Sequence, residues 1–199
     1  MSLAADYFDE LFAESDDPWA FRTRWYEQRK RDLTLAALPR QRYARVFEPG
    51  CANGELSLRL AHRCDELIGM DMSARAVALA RKRLSEFPRA TIVEGCLPDA
   101  WPEGKFDLIV VSEWAYYLPP ALFVQVIERI ASSLTPDGAV LACHWLHPIE
   151  GCPMLGRETH ALLAEHLQLQ PVVRHEETDF LLEMWSKQSG RFDLAEQVR

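Results

Sequence analysis

The feature that most constrains this 199-residue chain is the stretch "VFEPGCANGELSLRL", residues 46–60. The "YARVF" leading into it is short, apolar and partly β-branched, which reads as a buried strand. The "ELSLRLAHR" that follows places Leu56 and Leu60 on one face of a helix. Between them Gly50 and Gly54 permit a tight strand-to-helix turn and, lacking a Cβ, let backbone approach a ligand closely. A strand, a glycine turn and a helix N-terminus in that order make a nucleotide-type binding corner.

The rest of the chain repeats the alternation. "DELIGMD" predicts a second strand ending at Asp71, and Ser73 can cap the helix "ARAVALARKRLSEF", where Val77, Ala80, Leu84 and Phe87 share a face. "ATIVEG" and the almost wholly apolar "FDLIVVSE" predict strands three and four, followed by a helix near 120–134. "TPDG" (135–138) has the residues of a type I turn, and "AVLACHW" reads as a fifth buried strand. Alternating strands and helices imply a parallel sheet with right-handed crossovers. "LLAEHLQL" predicts a short helix, and "QPVVRHEE" and "TDFLLEMWS" two successive strands, hence an antiparallel hairpin at the sheet edge. At the other end "AADYFDELFAES" has helical spacing, and Asp17 followed by Pro18 predicts a second helix running to about Leu38. The expected architecture is α/β: one domain over 1–199, with a seven-stranded Rossmann-like, mostly parallel sheet and a C-terminal antiparallel strand. Helices cover both faces, the core runs over 44–187, and 1–38 forms a helical lid whose Trp19, Trp25 and Tyr26 offer large apolar surface.

Composition excludes several classes. No apolar run reaches a membrane span, and residues 1–16 are too acidic for a signal peptide. Cys51, Cys64, Cys96, Cys143 and Cys152 form no CxxC pair, which suits reduced thiols and predicts a cytoplasmic location. A net charge of −8 argues against a nucleic-acid partner. His144 and His147 in "HWLHP" end a strand with no carboxylate or cysteine pattern to complete a metal site, so none is expected.

The corner admits two ligands. A dinucleotide would want G-x-G-x-x-G, but the sequence offers Gly50, Ala52 and Gly54 with no third glycine in place. Asp71, 23 residues beyond Glu48, could accept from ribose hydroxyls in either case. Glu48 favours a different ligand: its carboxylate would repel a pyrophosphate and suits a ligand carrying an ammonium group. "VFEPGCANG" resembles the acid-x-G-x-G-x-G motif of class I S-adenosylmethionine-dependent methyltransferases, and the terminal strand pair matches that fold. The chain is most similar to the nodulation-protein-S-like (NodS) family, through "DPWAFRTRWYEQRK", "LTLAALPR", "FEPGCANG", "CDELIGMDMS", "HWLHP" and "DFLLEMW". The resemblance implies S-adenosylmethionine as cofactor and S-adenosylhomocysteine as product. It implies that Glu48, Gly50, Cys51 and Gly54 hold the methionine part, and that Asp71 takes the ribose. Met72 would pack on adenine, Cys96 and Leu97 would flank the ring, and Glu113 would lie by the sulfonium. Arg29 would pair with the cofactor carboxylate.

The loops after strands four and five supply the acceptor end. Trp114, Tyr116 and Tyr117 follow one strand, and His144 and Trp145 end the other, where open α/β sheets bind ligands. With Trp19 and Tyr26 from the N-terminal segment, Trp114, Tyr117 and Trp145 are the candidate substrate pocket, suited to a cation or a sugar face. Glu113 and His144 are the candidates to hold or remove a proton. The expected reaction is N-methylation of an amine on a small or sugar-like metabolite. The alternatives are O- or S-methylation, an NAD-type oxidoreductase, and a non-catalytic cofactor-binding protein.

Overall fold

The structure is a computed structural model that describes residues 5–187. Strand β1 (Tyr43–Pro49) pairs in parallel with β2 (Cys64–Asp71) on one side and β4 (Phe106–Ser112) on the other. β3 (Ala90–Glu94) lies beyond β2, and β5 (Leu134–Trp145) beyond β4, both parallel. β7 (Phe180–Ser186) runs antiparallel between β5 and β6 (Gln170–Glu176), giving the order β3-β2-β1-β4-β5-β7-β6. The predicted hairpin is therefore present with its second strand inserted and its first strand at the edge. The order reverses between β1 and β4, which opens a crevice at their carboxyl ends.

Each strand serves two faces because side chains alternate. On one face Val46, Leu67, Leu108, Val110 and Leu141 pack with Leu60 of α3 (Glu55–Ala61) and with Val77 and Ala80 of α4 (Ala74–Arg83). On the other, Phe47, Ile109, Val111 and Val140 meet α5 (Pro120–Ser133) and α6 (Gly156–His166). α5 alone contributes Phe123, Val126, Ile127 and Ile130, all fully buried, each worth about 1.5–3 kcal/mol relative to exposure. α1 (Ala5–Glu14) packs on α4, where Asp9 accepts from Ser73 Oγ. α2 (Trp25–Ala36) lays Tyr26 and Leu33 against Cys143, Phe180 and Leu182 at the ends of β5 and β7.

Three local expectations are corrected. The second helix starts at Trp25, not Pro18. Asp17 accepts from the amides of Phe21 and Arg22, at 2.9 and 3.0 Å, and so caps a turn. "TPDG" lies inside β5 and does not precede it: the ladder with β4 jumps from Phe106↔Leu134 to Leu108↔Ala139, so residues 135–138 form an irregularity within the strand. α4 stops at Arg83 with Leu84 as its C-cap, short of Phe87.

Candidate active site

The crevice is a cavity of about 450 Å³. Its floor is the β1–α3 corner. Gly50 has a φ of +68°, and a Cβ there would stand 2.6 Å from the Trp114 indole, so only glycine fits without moving the ring. Ala52 takes the same left-handed region at +48° without being glycine. Its amide donates to Asp71 Oδ2 at 2.8 Å, and the Ser73 amide donates to Oδ1 at 3.0 Å. Asp71 thus ties the corner to the end of β2. Gly54 caps α3 at +80°, where a Cβ would press on Ala80 at 3.0 Å; it serves helix packing and does not line the cavity. Glu48 is buried at the back, with Oε2 unpartnered, and desolvation raises its carboxyl to about 8. Cys51 is buried in the wall, where desolvation raises its thiol. Met72, Cys96 and Leu97 line the side below β3, and Cys96 is exposed.

The opposite end is built by the loop after β4. Glu113 has a φ of +61°, an unusual conformation for a residue with a side chain, and its carboxylate is gripped from three sides. Lys30 Nζ donates to Oε1 at 2.6 Å, while Tyr116 OH and the Trp145 amide donate to Oε2 at 2.8 and 2.9 Å. Lys30, itself buried, also pairs with Glu27 at 3.0 Å and lies 5.0 Å from the Tyr26 ring centre. The two glutamates hold its pKa up against desolvation. Around this cluster Trp19, Tyr26, Trp114, Tyr117 and Trp145 all line the cavity, with Tyr26 and Trp145 edge to face at 5.5 Å. Residues 7–31 contribute the roof, pinned where Asn53 Nδ2 donates to Asp16 O and Asp17 Oδ1 at 2.9 and 3.1 Å.

Two further candidates lie elsewhere. Arg29 points away from the cavity and forms a two-pronged pair with Glu177, both bonds 2.7 Å. Arg31, two residues on, is in the wall, with Nη2 on Phe21 O at 2.6 Å and a buried, unpartnered Nε. His144 is fully buried behind the wall, its Nδ1 3.1 Å from His160 Nε2, and desolvation holds its pKa well below the usual value. It cannot reach a proton in the cavity. Glu113 is in the cavity, but both its oxygens already accept from donors of the protein, so it is held in place as part of the wall and is not a free base. Sequence reasoning missed Glu27, Lys30 and Arg31. The cluster "RWYEQRKR" carried a signal of charge, but nothing local says which of its members turn inward.

The residues fit S-adenosylmethionine: an unpartnered buried carboxylate oxygen, a backbone corner that a Cβ would fill, and a strand-end carboxylate. Fold and site together define an α/β protein of the class I S-adenosylmethionine-dependent methyltransferase type. The family model for nodulation protein S (NodS) matches residues 8–148. Nodulation protein S of Sinorhizobium fredii is 31% identical over 131 residues, 65% of this chain and 60% of that protein. The chain belongs to the NodS family. It spans about three fifths of the length of that curated relative. A crystal structure from Pseudomonas syringae, of a protein described as a methyltransferase, is 53% identical with a TM-score of 0.74, covering 82% of this chain and 99% of that one. The N-methyltransferase NodS of Bradyrhizobium japonicum, in complex with S-adenosylhomocysteine, shares the fold at a TM-score of 0.83 and 23% identity, over 92% of this chain and 97% of that one.

Proposed function

We propose that the chain is an S-adenosylmethionine-dependent methyltransferase that N-methylates an uncharged amine on a small or sugar-like metabolite in the cytoplasm. The observation that carries the acceptor reading is the Glu27–Lys30–Glu113 cluster beside a ring-lined cavity. Two carboxylates against one ammonium leave a surplus negative charge. That surplus stabilises positive charge arriving on an amine and disfavours an anionic phenolate or thiolate nucleophile.

When bound, the cofactor supplies a methyl carbon activated by its sulfonium. Glu48 accepts from the cofactor's ammonium group, and the Cβ-free backbone at Gly50 faces its methionine part. Asp71 takes the ribose hydroxyls, and Met72 and Leu97 flank the adenine. Arg31, with its buried unpartnered Nε, takes the carboxylate role first expected of Arg29. The rings of Tyr26, Trp114, Tyr117 and Trp145 hold the acceptor in line, which is most of what such a displacement needs. No free base is required if the amine arrives unprotonated. The segment before Leu38 acts as a lid that excludes water when closed.

Calorimetry with S-adenosylmethionine, S-adenosylhomocysteine and NAD tests the cofactor: heat with the first two and none with NAD is expected. A methyl-transfer screen over amines, amino sugars, phenols, carboxylates and thiols tests the acceptor. Transfer confined to phenols or thiols ends the amine reading. For the reacting amine, kcat/KM rises as the amine deprotonates.

A further inference from the structure

Behind the wall runs a chain of buried polar groups that the proposed chemistry does not use. His144 Nδ1 lies 3.1 Å from His160 Nε2, and His160 Nδ1 lies 2.8 Å from Glu183 Oε2. Glu183 Oε1 is bonded by Arg174 at 2.5 Å at the rim of a second, small cavity of about 190 Å³. His144 and His160 are buried, at 0% and 2% exposure. We propose that Glu183 and His160 are positioning residues: they fix the tautomer of His144 and thereby the end of β5 that holds Glu113.

The argument is one of donors and acceptors. A carboxylate can only accept, so His160 Nδ1 carries a proton. In the neutral ring its Nε2 is then an acceptor, and His144 must present Nδ1–H. His144 sits between the two peptides that grip Glu113. The carbonyl of Cys143 accepts from the Glu113 amide at 3.0 Å, and the Trp145 amide donates to Glu113 Oε2 at 2.9 Å. Side chains alternate along a strand, so Cys143 packs toward α2 while His144 points toward α6. The histidine pair anchors β5 from the far face, and Glu113 then reaches across to Lys30 on α2. Orientation of a ring nitrogen by a carboxylate behind it is a general way of fixing a histidine. Here the fixed ring is hidden, and what it steers is backbone. The Tyr116 ring, edge-on to His144 at 5.4 Å, packs on the same anchor and donates its hydroxyl to Glu113.

This inference rests on the methyltransferase reading only for the use made of the held wall, so its test is run on the ligand-free protein. Long-range 1H–15N correlation of the wild type should show His144 protonated on Nδ1 and bare on Nε2. Glu183→Leu removes the acceptor and should let both rings change tautomer. The Glu113 and Trp145 amides should then exchange with solvent roughly five- to hundredfold faster, the effect of losing a buried hydrogen bond, while amides of β1 keep their wild-type protection. Glu183→Gln, which still offers an oxygen to His160, should restore the wild-type pattern. Three results would overturn the proposal: a wild-type His144 protonated on Nε2, unchanged exchange at Glu113 and Trp145 in Glu183→Leu, or equal acceleration throughout the sheet. If Glu183→Leu does not fold, His160→Gln decides. Its amide oxygen can accept from His144, so it should keep the Nδ1–H tautomer, and loss of that tautomer would count against the proposal. Calorimetry with S-adenosylhomocysteine on the wild type separately tests the methyltransferase reading.

Discussion

Ala52 occupies a conformation that costs an L-residue about 1–2 kcal/mol, in the middle of the corner that defines the site. Its amide bond to Asp71 shows why the cost is accepted: the turn must aim that N–H at the carboxylate. Ala52→Gly removes the strain but adds unfolded-state entropy, so a net gain of about 0.5–1 kcal/mol in chemical denaturation is expected. Gly50→Ala goes the other way. Its Cβ would meet the Trp114 ring at 2.6 Å in a left-handed conformation, and a loss of about 2–4 kcal/mol should appear in the same measurement. Asp71→Ala should weaken S-adenosylhomocysteine binding by about 1–3 kcal/mol by calorimetry. It should also lower Tm, because the amides of Ala52 and Ser73 lose their acceptor. At this scale the strand, Gly50 and Glu48 were legible because they lie in one contiguous motif, and Asp71 because it ends the next strand, whereas Gly54, read with them, serves helix packing. Arg29 and Arg31 were not separable, since residues two apart on a helix point about 200° from each other and only the packing of α2 decides which turns inward.

α2 is the element that joins the roof to the chemistry, through Lys30 and its two glutamates. Lys30→Met leaves Glu27 and Glu113 close together without their cation, a change worth about 3–5 kcal/mol. Hydrogen exchange should show residues 25–36 opening, and affinity for S-adenosylhomocysteine should fall. Arg29→Ala is the control: its bond to Glu177 is on the surface, where such pairs contribute little to stability, and cofactor affinity should not change. The strands were readable from apolar periodicity, and their parallel pairing followed from alternation. The start of α2 was not, because the Asp17–Pro18 cap signal is real but is spent on a turn that Asn53 holds from 36 residues away. Nor was the Lys30–Glu113 pair, whose partners are 83 residues apart with no local pattern linking them. "TPDG" misled because its turn residues sit at a register shift inside β5, between Leu134 and Ala139, and not at a strand end.

The molecule as a whole should respond to pH through Glu48. Its folded value of about 8 lies above the ordinary 4.5, so between those limits the folded state keeps a proton that the unfolded chain has lost. Stability from this group is fully present below about pH 4.5 and declines by about 1.4 kcal/mol per unit as pH rises toward 8. Asp71, also raised by desolvation, adds a smaller contribution of the same sign. Thermal melts of the ligand-free protein should show the decline, and Glu48→Gln should flatten it. Binding an ammonium beside Glu48 should expel that proton, so the calorimetric heat at pH 7 should vary with the ionisation enthalpy of the buffer. The sheet order has a consequence for how the protein is made. Among the described residues β7 is the last strand of the sheet to be synthesised, yet it sits between β5 and β6, and there β6 pairs with β7 alone. Until about residue 186 has left the ribosome, β5 is an open edge and β6 has nothing to join. At about 5–20 residues per second, synthesis of the stretch between the ends of β5 and β7 leaves that edge unpaired for some seconds, an interval in which a chaperone has something to protect.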